Sequence, residues 1–175
     1  MIADFTFKVI VAGPAAVGKT SLIRRFVENQ FSFSYKSTIG VDFLAKSIRL
    51  EDDKIVKLAL WDIGGQARFK FLRRNFYEGT HGAILVFDLS RANTFPKMKD
   101  WLNDMRSIIE HKIPFIILGN KSDLISEVGE VIDTGEPKKF TEQEESFYLE
   151  TSAKTGNNVE QAFNELIKQM LKSNS

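Results

Sequence analysis

Apolar and polar positions alternate from Phe5 to Val11, which predicts a strand, and after a glycine-containing loop Leu22, Ile23, Phe26 and Val27 fall on one face of a helix. Two extended runs follow, Phe43 to Leu50 and Ile55 to Trp61, joined by the turn-forming Glu51-Asp52-Asp53-Lys54, and these predict a hairpin. Ala83 to Leu89, broken only by Asp88, and Pro114 to Gly119 are apolar runs of the kind that strands buried on both faces show. Between them Phe95, Met98, Leu102, Met105 and Ile109 keep helical spacing. A last short strand before Thr151 leads to a helix with the stripe Val159, Phe163, Leu166, Ile167 and Met170, and Asn157 or Asn158 is placed to cap it. Strands alternating with helices predict an α/β fold: a six-stranded, mostly parallel sheet with one antiparallel edge strand and helices on both faces. Ile125 to Lys139, rich in Gly, Glu, Asp and Pro, reads as the soft region.

Composition narrows the function. A chain of 175 residues is the size of one domain, so residues 1–175 are expected to form a single unit. Its 24 basic and 23 acidic residues give no field that would draw it to nucleic acid or acidic lipid. No apolar run approaches the roughly 20 residues that span a bilayer, and Ile2 occupies the place where myristoylation needs glycine. The absence of cysteine fits a reducing compartment, so the cytoplasm is the expected location, and the chain is expected to act as a monomer.

Gly13-Pro-Ala15-Ala16-Val17-Gly18-Lys19-Thr20 satisfies the pattern Gly, four residues, Gly, Lys, Ser or Thr, and it lies between a strand and a helix. There the backbone N–H groups can turn around phosphates and the helix amino terminus adds its dipole. Lys19 is then expected on the outer phosphates and Thr20 on Mg²⁺. A glycine-rich turn carrying a surface lysine is the bland alternative.

Phosphates are common to all nucleotides, so a second element must read the base. Asn120-Lys121-Ser122-Asp123 stands at the carboxyl end of a predicted strand, where open α/β sheets place ligands. The two Asp123 carboxylate oxygens match N1–H and the 2-amino group of guanine, whereas adenine offers neither donor. Asn120 is expected to tie loops together, Lys121 to lie along the ring, and the Ala153 N–H in Ser152-Ala153-Lys154 to meet guanine O6. Asp62, after another strand, is expected to hold Mg²⁺ and Thr38 to ligate it, while Gly65 admits a terminal phosphate and Gln66 orients an attacking water.

Taken together these residues resemble the Ras superfamily of small GTPases over nearly the whole chain. The likeness is greatest to the Rab branch, through Ile39-Gly40-Val41-Asp42-Phe43, Trp61-Asp62, Phe76-Tyr77-Glu78-Gly79 and Val86-Phe87-Asp88. The resemblance implies the phosphate-loop NTPase fold and a switch that binds GTP or GDP with Mg²⁺ and hydrolyses GTP slowly. It implies effectors, an exchange factor and a GTPase-activating protein as partners. It adds Ser21, Phe31 and Tyr35 to the nucleotide site, makes Lys19, Gly65 and Gln66 the catalytic set, and assigns Phe43, Trp61 and Phe76 to an effector surface.

There are departures. Ile63-Gly64 replaces the usual Thr-Ala and makes an Arf-like Asp-x-Gly-Gly-Gln; Ala15 stands where Ras has Gly; Ala67 replaces a usual Glu. Residues 124–147 show no clean amphipathic helix, and no Cys-bearing tail precedes Ser175, so peripheral membrane attachment would need a lipidated tail outside this sequence. Two other readings stay open: a module that holds GTP without useful hydrolysis, and a nucleotide kinase, for which no acceptor site or Arg-rich lid is visible.

Overall fold

Phe7, Val9 and Val11 of the first strand enter one apolar cluster while Ile10 and Ala12 enter another, so the strand is buried on both faces. That single fact requires covering layers above and below the sheet. The computed structural model describes residues 2–34, 36, 38–65 and 73–175. In chain order the strands are β1 (Phe5–Ala12), β2 (Val41–Arg49), β3 (Ile55–Ile63), β4 (Gly82–Asp88), β5 (Phe115–Asn120) and β6 (Phe147–Thr151). The helices are α1 (Lys19–Glu28), α2 (Arg73–Tyr77), α3 (Thr94–Ile108), α4 (Ile125–Val128), α5 (Gly135–Gln143) and α6 (Val159–Ser173).

The sheet order is β2-β3-β1-β4-β5-β6; β2 pairs antiparallel with β3, and the other pairings are parallel. This is the sheet expected from the hydrophobic pattern. Leu22, Ile23 and Phe26 of α1 and Val159, Phe163 and Met170 of α6 cover one face; Phe95, Met98, Trp101 and Leu102 of α3 cover the other. The Phe26 and Phe163 rings stack with centroids 3.9 Å apart, joining α1 to α6. Because the parallel strands share a direction, the loops after β1, β3, β4, β5 and β6 all leave from the carboxyl edge. The chain crosses from one side of β1 to the other between β3 and β4, the arrangement that opens a ligand crevice.

Three details differ from the sequence reading. The region expected to lack a clean helix is entered from a 3₁₀ turn (Ser122–Leu124) and contains one turn of α4 and the nine-residue α5. Its buried positions are Pro137 and Thr141, so no apolar stripe announces it. Asn158 does sit at the N-cap of α6, but with φ of 59° its amide donates to Glu150 O at 2.8 Å instead of capping. The short α2, not foreseen, is pinned to α3 by Arg73, whose guanidinium lies 3.4 Å from the Trp101 ring centroid and pairs with Asp104 at 3.1 Å.

Two stability tests follow from this packing. Phe163→Ala removes a side chain that is 1% exposed and opens a cavity against Phe26, and chemical denaturation should show a loss of about 3–5 kcal/mol. His81 accepts the Lys8 N–H on Nδ1 at 2.9 Å, and burial first, then His111 and Lys8, hold its imidazole below the ordinary 6.5. A depressed pKa leaves this contribution whole above 6.5 and removes it as pH falls below that value. His81→Asn, which keeps an acceptor without titrating, should therefore flatten the decline in stability between roughly pH 7 and 5 measured by denaturation.

Candidate functional site

Immediately after Ala12 the backbone departs from strand geometry. Gly13 has φ of 151° and Gly18, at the N-cap of α1, has φ of 99°. A Cβ on Gly13 would strike the Val86 backbone, and one on Gly18 would strike the Asn120 amide, so both positions need glycine. Ala16 adopts φ of 62° despite its methyl, a conformation that costs about 1–2 kcal/mol in an L-residue. Such strain persists only where surrounding bonds hold it. Lys121 Nζ donates to Ala16 O at 2.9 Å, and Asn120 Nδ2 donates to Val17 O at 2.9 Å while its Oδ1 accepts from Thr151.

Lys19 is 6% exposed, and its ammonium donates to Gly13 O at 2.9 Å and Pro14 O at 2.8 Å. Burial lowers its pKa to about 8; Asp62 opposes the shift, and Arg73 and Arg91 add to it. Asp62, 3% exposed at the end of β3, accepts from Thr20 Oγ1 on Oδ2, and Thr38 Oγ1 approaches the same oxygen at 3.3 Å. The two hydroxyls are 3.0 Å apart. Asp62 Oδ1 is buried with no hydrogen-bond partner among the described residues, and burial, countered by Thr20, Lys19 and Thr38, raises this carboxyl's pKa. Two hydroxyls and one half-satisfied carboxylate thus converge at the phosphate loop. This is a hard oxygen set of the kind that suits Mg²⁺, which takes few protein ligands and completes its shell with phosphate and water. Among the described residues no cluster of three or more His, Cys, Asp or Glu side chains forms an all-protein metal cage.

A cleft of about 590 Å³ opens above these groups. It brings together Ala15, Ala16, Gly18, Lys19, Thr20, Ser21, Phe31, Thr38, Gly65, Asn120, Lys121, Asp123, Ala153 and Lys154. Gly13, Val17, Asp62 and Ser152 stand behind its wall; Tyr35 and Gln66 lie outside the described residues. Gly65 presses on the phosphate loop, where a Cβ would come within 2.6 Å of Pro14 C and 2.8 Å of Ala15 Cα. Ser152 Oγ donates to Asp123 Oδ1 at 2.7 Å, fixing the plane of that carboxylate. Phe31 meets Phe33 edge to face with centroids 5.1 Å apart, and Lys154 Nζ lies 5.4 Å from the Phe33 ring. Outside the cleft Phe43, Trp61 and Phe76 form a chain of rings at 5.7 and 6.1 Å, with Phe43 and Ile39 exposed.

Several contributors carried no assigned role in the sequence reading. Arg25 of α1 donates to Ala153 O at 2.8 Å and Lys154 O at 2.6 Å, bracing the loop after β6. Asp88, 1% exposed at the end of β4, pairs with Arg91 at 3.0 Å and Lys121 at 2.9 Å. Burial opposes its ionisation, but Ser90 and Lys121 outweigh that and hold the carboxyl below its usual range. The one available signal was a charged residue closing the otherwise apolar run Ala83 to Phe87.

The Ras family model matches residues 8–172. The chain is 41% identical over 167 residues to Ras-related protein RABA1c of Arabidopsis thaliana, covering 95% of this chain and 76% of the relative. It is 41% identical over the same length to Ras-related protein RIC2 of Oryza sativa subsp. japonica, with the same coverage. Against Ras-related protein Rab11B of Nicotiana tabacum it is 40% identical over 169 residues, 97% of this chain and 76% of that one. A family match over nearly the whole chain places the protein in the Ras family as a Rab-like small GTPase, a molecular switch that hydrolyses GTP.

Proposed function

We propose that this single domain performs the family's reaction in the cleft at the carboxyl edge of the sheet, with GTP as substrate and GDP as the retained product. The convergence of Thr20, Thr38 and Asp62 beside Lys19 carries the reading, because it joins a cation site to a phosphate loop. Gly13 to Thr20 hold the phosphates through backbone N–H groups, the Lys19 ammonium and the dipole of α1. Asp123 accepts the two guanine donors, and Phe31 and the stem of Lys121 bracket the base. Thr20, Thr38 and Asp62 would hold Mg²⁺, which supplies charge neutralisation on the outer phosphate oxygens when bound.

In this reading Thr38 and Gly65 detect the third phosphate from opposite sides. Gly64 N donates to Gly40 O at 2.7 Å, so the two segments are already tied to each other. Tyr35 and Gln66 join them, Gln66 orienting the water for in-line attack. Loss of the third phosphate then releases both segments together, and the exposed Ile39 and Phe43 change their presentation to effectors. An exchange factor and a GTPase-activating protein complete the cycle. The protein works as a monomer in the cytoplasm, in membrane traffic, and any hold on a membrane is peripheral; among the described residues no helix is long and apolar enough to cross one.

Asp123→Asn should weaken GDP binding and admit xanthosine diphosphate, while the parent chain favours GDP over ADP by several kcal/mol, on the order of 10³-fold, in calorimetric titration. Comparable affinity for ADP and GDP would refute base reading by Asp123. Unaided hydrolysis should run at about 10⁻⁴ to 10⁻² s⁻¹ in single-turnover phosphate release. Gln66→Leu should slow it by about tenfold or more with nucleotide affinity almost unchanged; an unchanged rate would leave a module that holds GTP without useful hydrolysis.

A further inference from the structure

Five consecutive carbonyls of the phosphate loop accept hydrogen bonds from side chains. Lys19 serves Gly13 and Pro14, Lys121 serves Ala16, and Asn120 serves Val17. The remaining donor is Arg91, from the loop after β4, whose Nη2 lies 3.1 Å from Ala15 O and 2.9 Å from Ala16 O. Its Nε donates to Asp88 Oδ2 at 3.0 Å, and Lys121 Nζ lies 2.9 Å from the same oxygen. The carboxylate is itself fixed by the Ser90 N–H at 2.8 Å and hydroxyl at 2.6 Å. The Arg91 backbone is held as well: its N–H donates to Asp88 O, and its carbonyl accepts from the Thr94 N–H and hydroxyl.

We propose that Arg91 is a further positioning residue of the nucleotide site, one that aims and polarises the phosphate-binding amides without touching the nucleotide. The inference rests on the assignment of Gly13 to Thr20 to the phosphates. Each peptide unit carries its carbonyl and the next residue's N–H, so a charged donor on Ala15 O and Ala16 O strengthens the Ala16 and Val17 N–H groups as donors. The same two bonds oppose relaxation of Ala16 from its φ of 62°. Because Asp88 is shared, Arg91 and Lys121 set the phosphate loop and the base-reading loop from one buried carboxylate. An exposed ion pair contributes little by itself; here the carboxylate is 1% exposed and the guanidinium makes three directed bonds.

The test is release of a fluorescent GDP from the full chain, with ¹⁵N–¹H shifts of Ala16 and Val17 and the ³¹P shift of the bound β-phosphate read alongside. Arg91→Ala should release GDP about tenfold faster and move all three resonances. Arg91→Lys, which can reach Asp88 but cannot span two carbonyls, should be intermediate, and Lys112→Gln, at a side chain 85% exposed, should match the parent. Parent-like release in both Arg91 variants overturns the proposal, as does faster release with the resonances unmoved, which would mean general loosening. If Arg91→Ala does not fold, Arg91→Lys alone decides by the same two criteria. Lys19→Ala separates the underlying assignment: if it retains parental GDP affinity, the phosphate-loop reading fails whatever the Arg91 variants do.

Discussion

Everything in the cleft depends on where the carbonyls of Gly13 to Val17 go. A loop that offers its N–H groups to an anion must settle its carbonyls elsewhere, because an unsatisfied buried carbonyl costs about 1–3 kcal/mol. Here a lysine of α1, an arginine of the loop after β4, and the Asn-Lys pair after β5 take them in sequence. The adjoining helix and two loops distant in the chain therefore define one curve of backbone, and the left-handed Ala16 is the residue that records the tension.

Two buried carboxylates organise the surroundings, in opposite ways. Asp88 is fully engaged by two cations and by Ser90, so it acts as a fixed post. Asp62 keeps one oxygen unpartnered among the described residues and meets two hydroxyls, the nearby Lys19 and the like charge of Asp42, so its site is incomplete in charge and is suited to a cation. Both stand at the carboxyl ends of strands of the same sheet, β4 and β3, on either side of β1. Sheet topology thus sets the distance between the fully paired Asp88 and the half-partnered Asp62. Asp62 stands two residues before Gly64, whose N–H donates to Gly40 O beside the exposed Ile39 and Phe43.

The sheet was legible because its central strands are apolar on both faces and its hairpin carries a polar turn. Helix α5 was not, since its buried face uses Pro137 and Thr141, and α2 is too short to establish a period. In the site, glycine spacing and clustered polar residues after predicted strands were enough to select the loops that now line the cleft. Arg25, Asp88 and Arg91 escaped for a physical reason: the two arginines act on backbone carbonyls, which every residue possesses and which leave no signature in a sequence. The inability of Asn158 to cap α6 was equally hidden, because its amide is drawn to Glu150 O by tertiary packing.

The central claim is that one preset phosphate loop serves both nucleotide states while Thr38 and Gly65 respond to the third phosphate. Amide hydrogen exchange, compared between the GDP-loaded protein and the protein loaded with a non-hydrolysable GTP analogue, tests it most directly. Residues 15–18 should be protected equally in the two states, and residues 38–42 and 64–65 should gain protection only with the triphosphate. Equal exchange at 38–42 and 64–65 in both states would contradict the account.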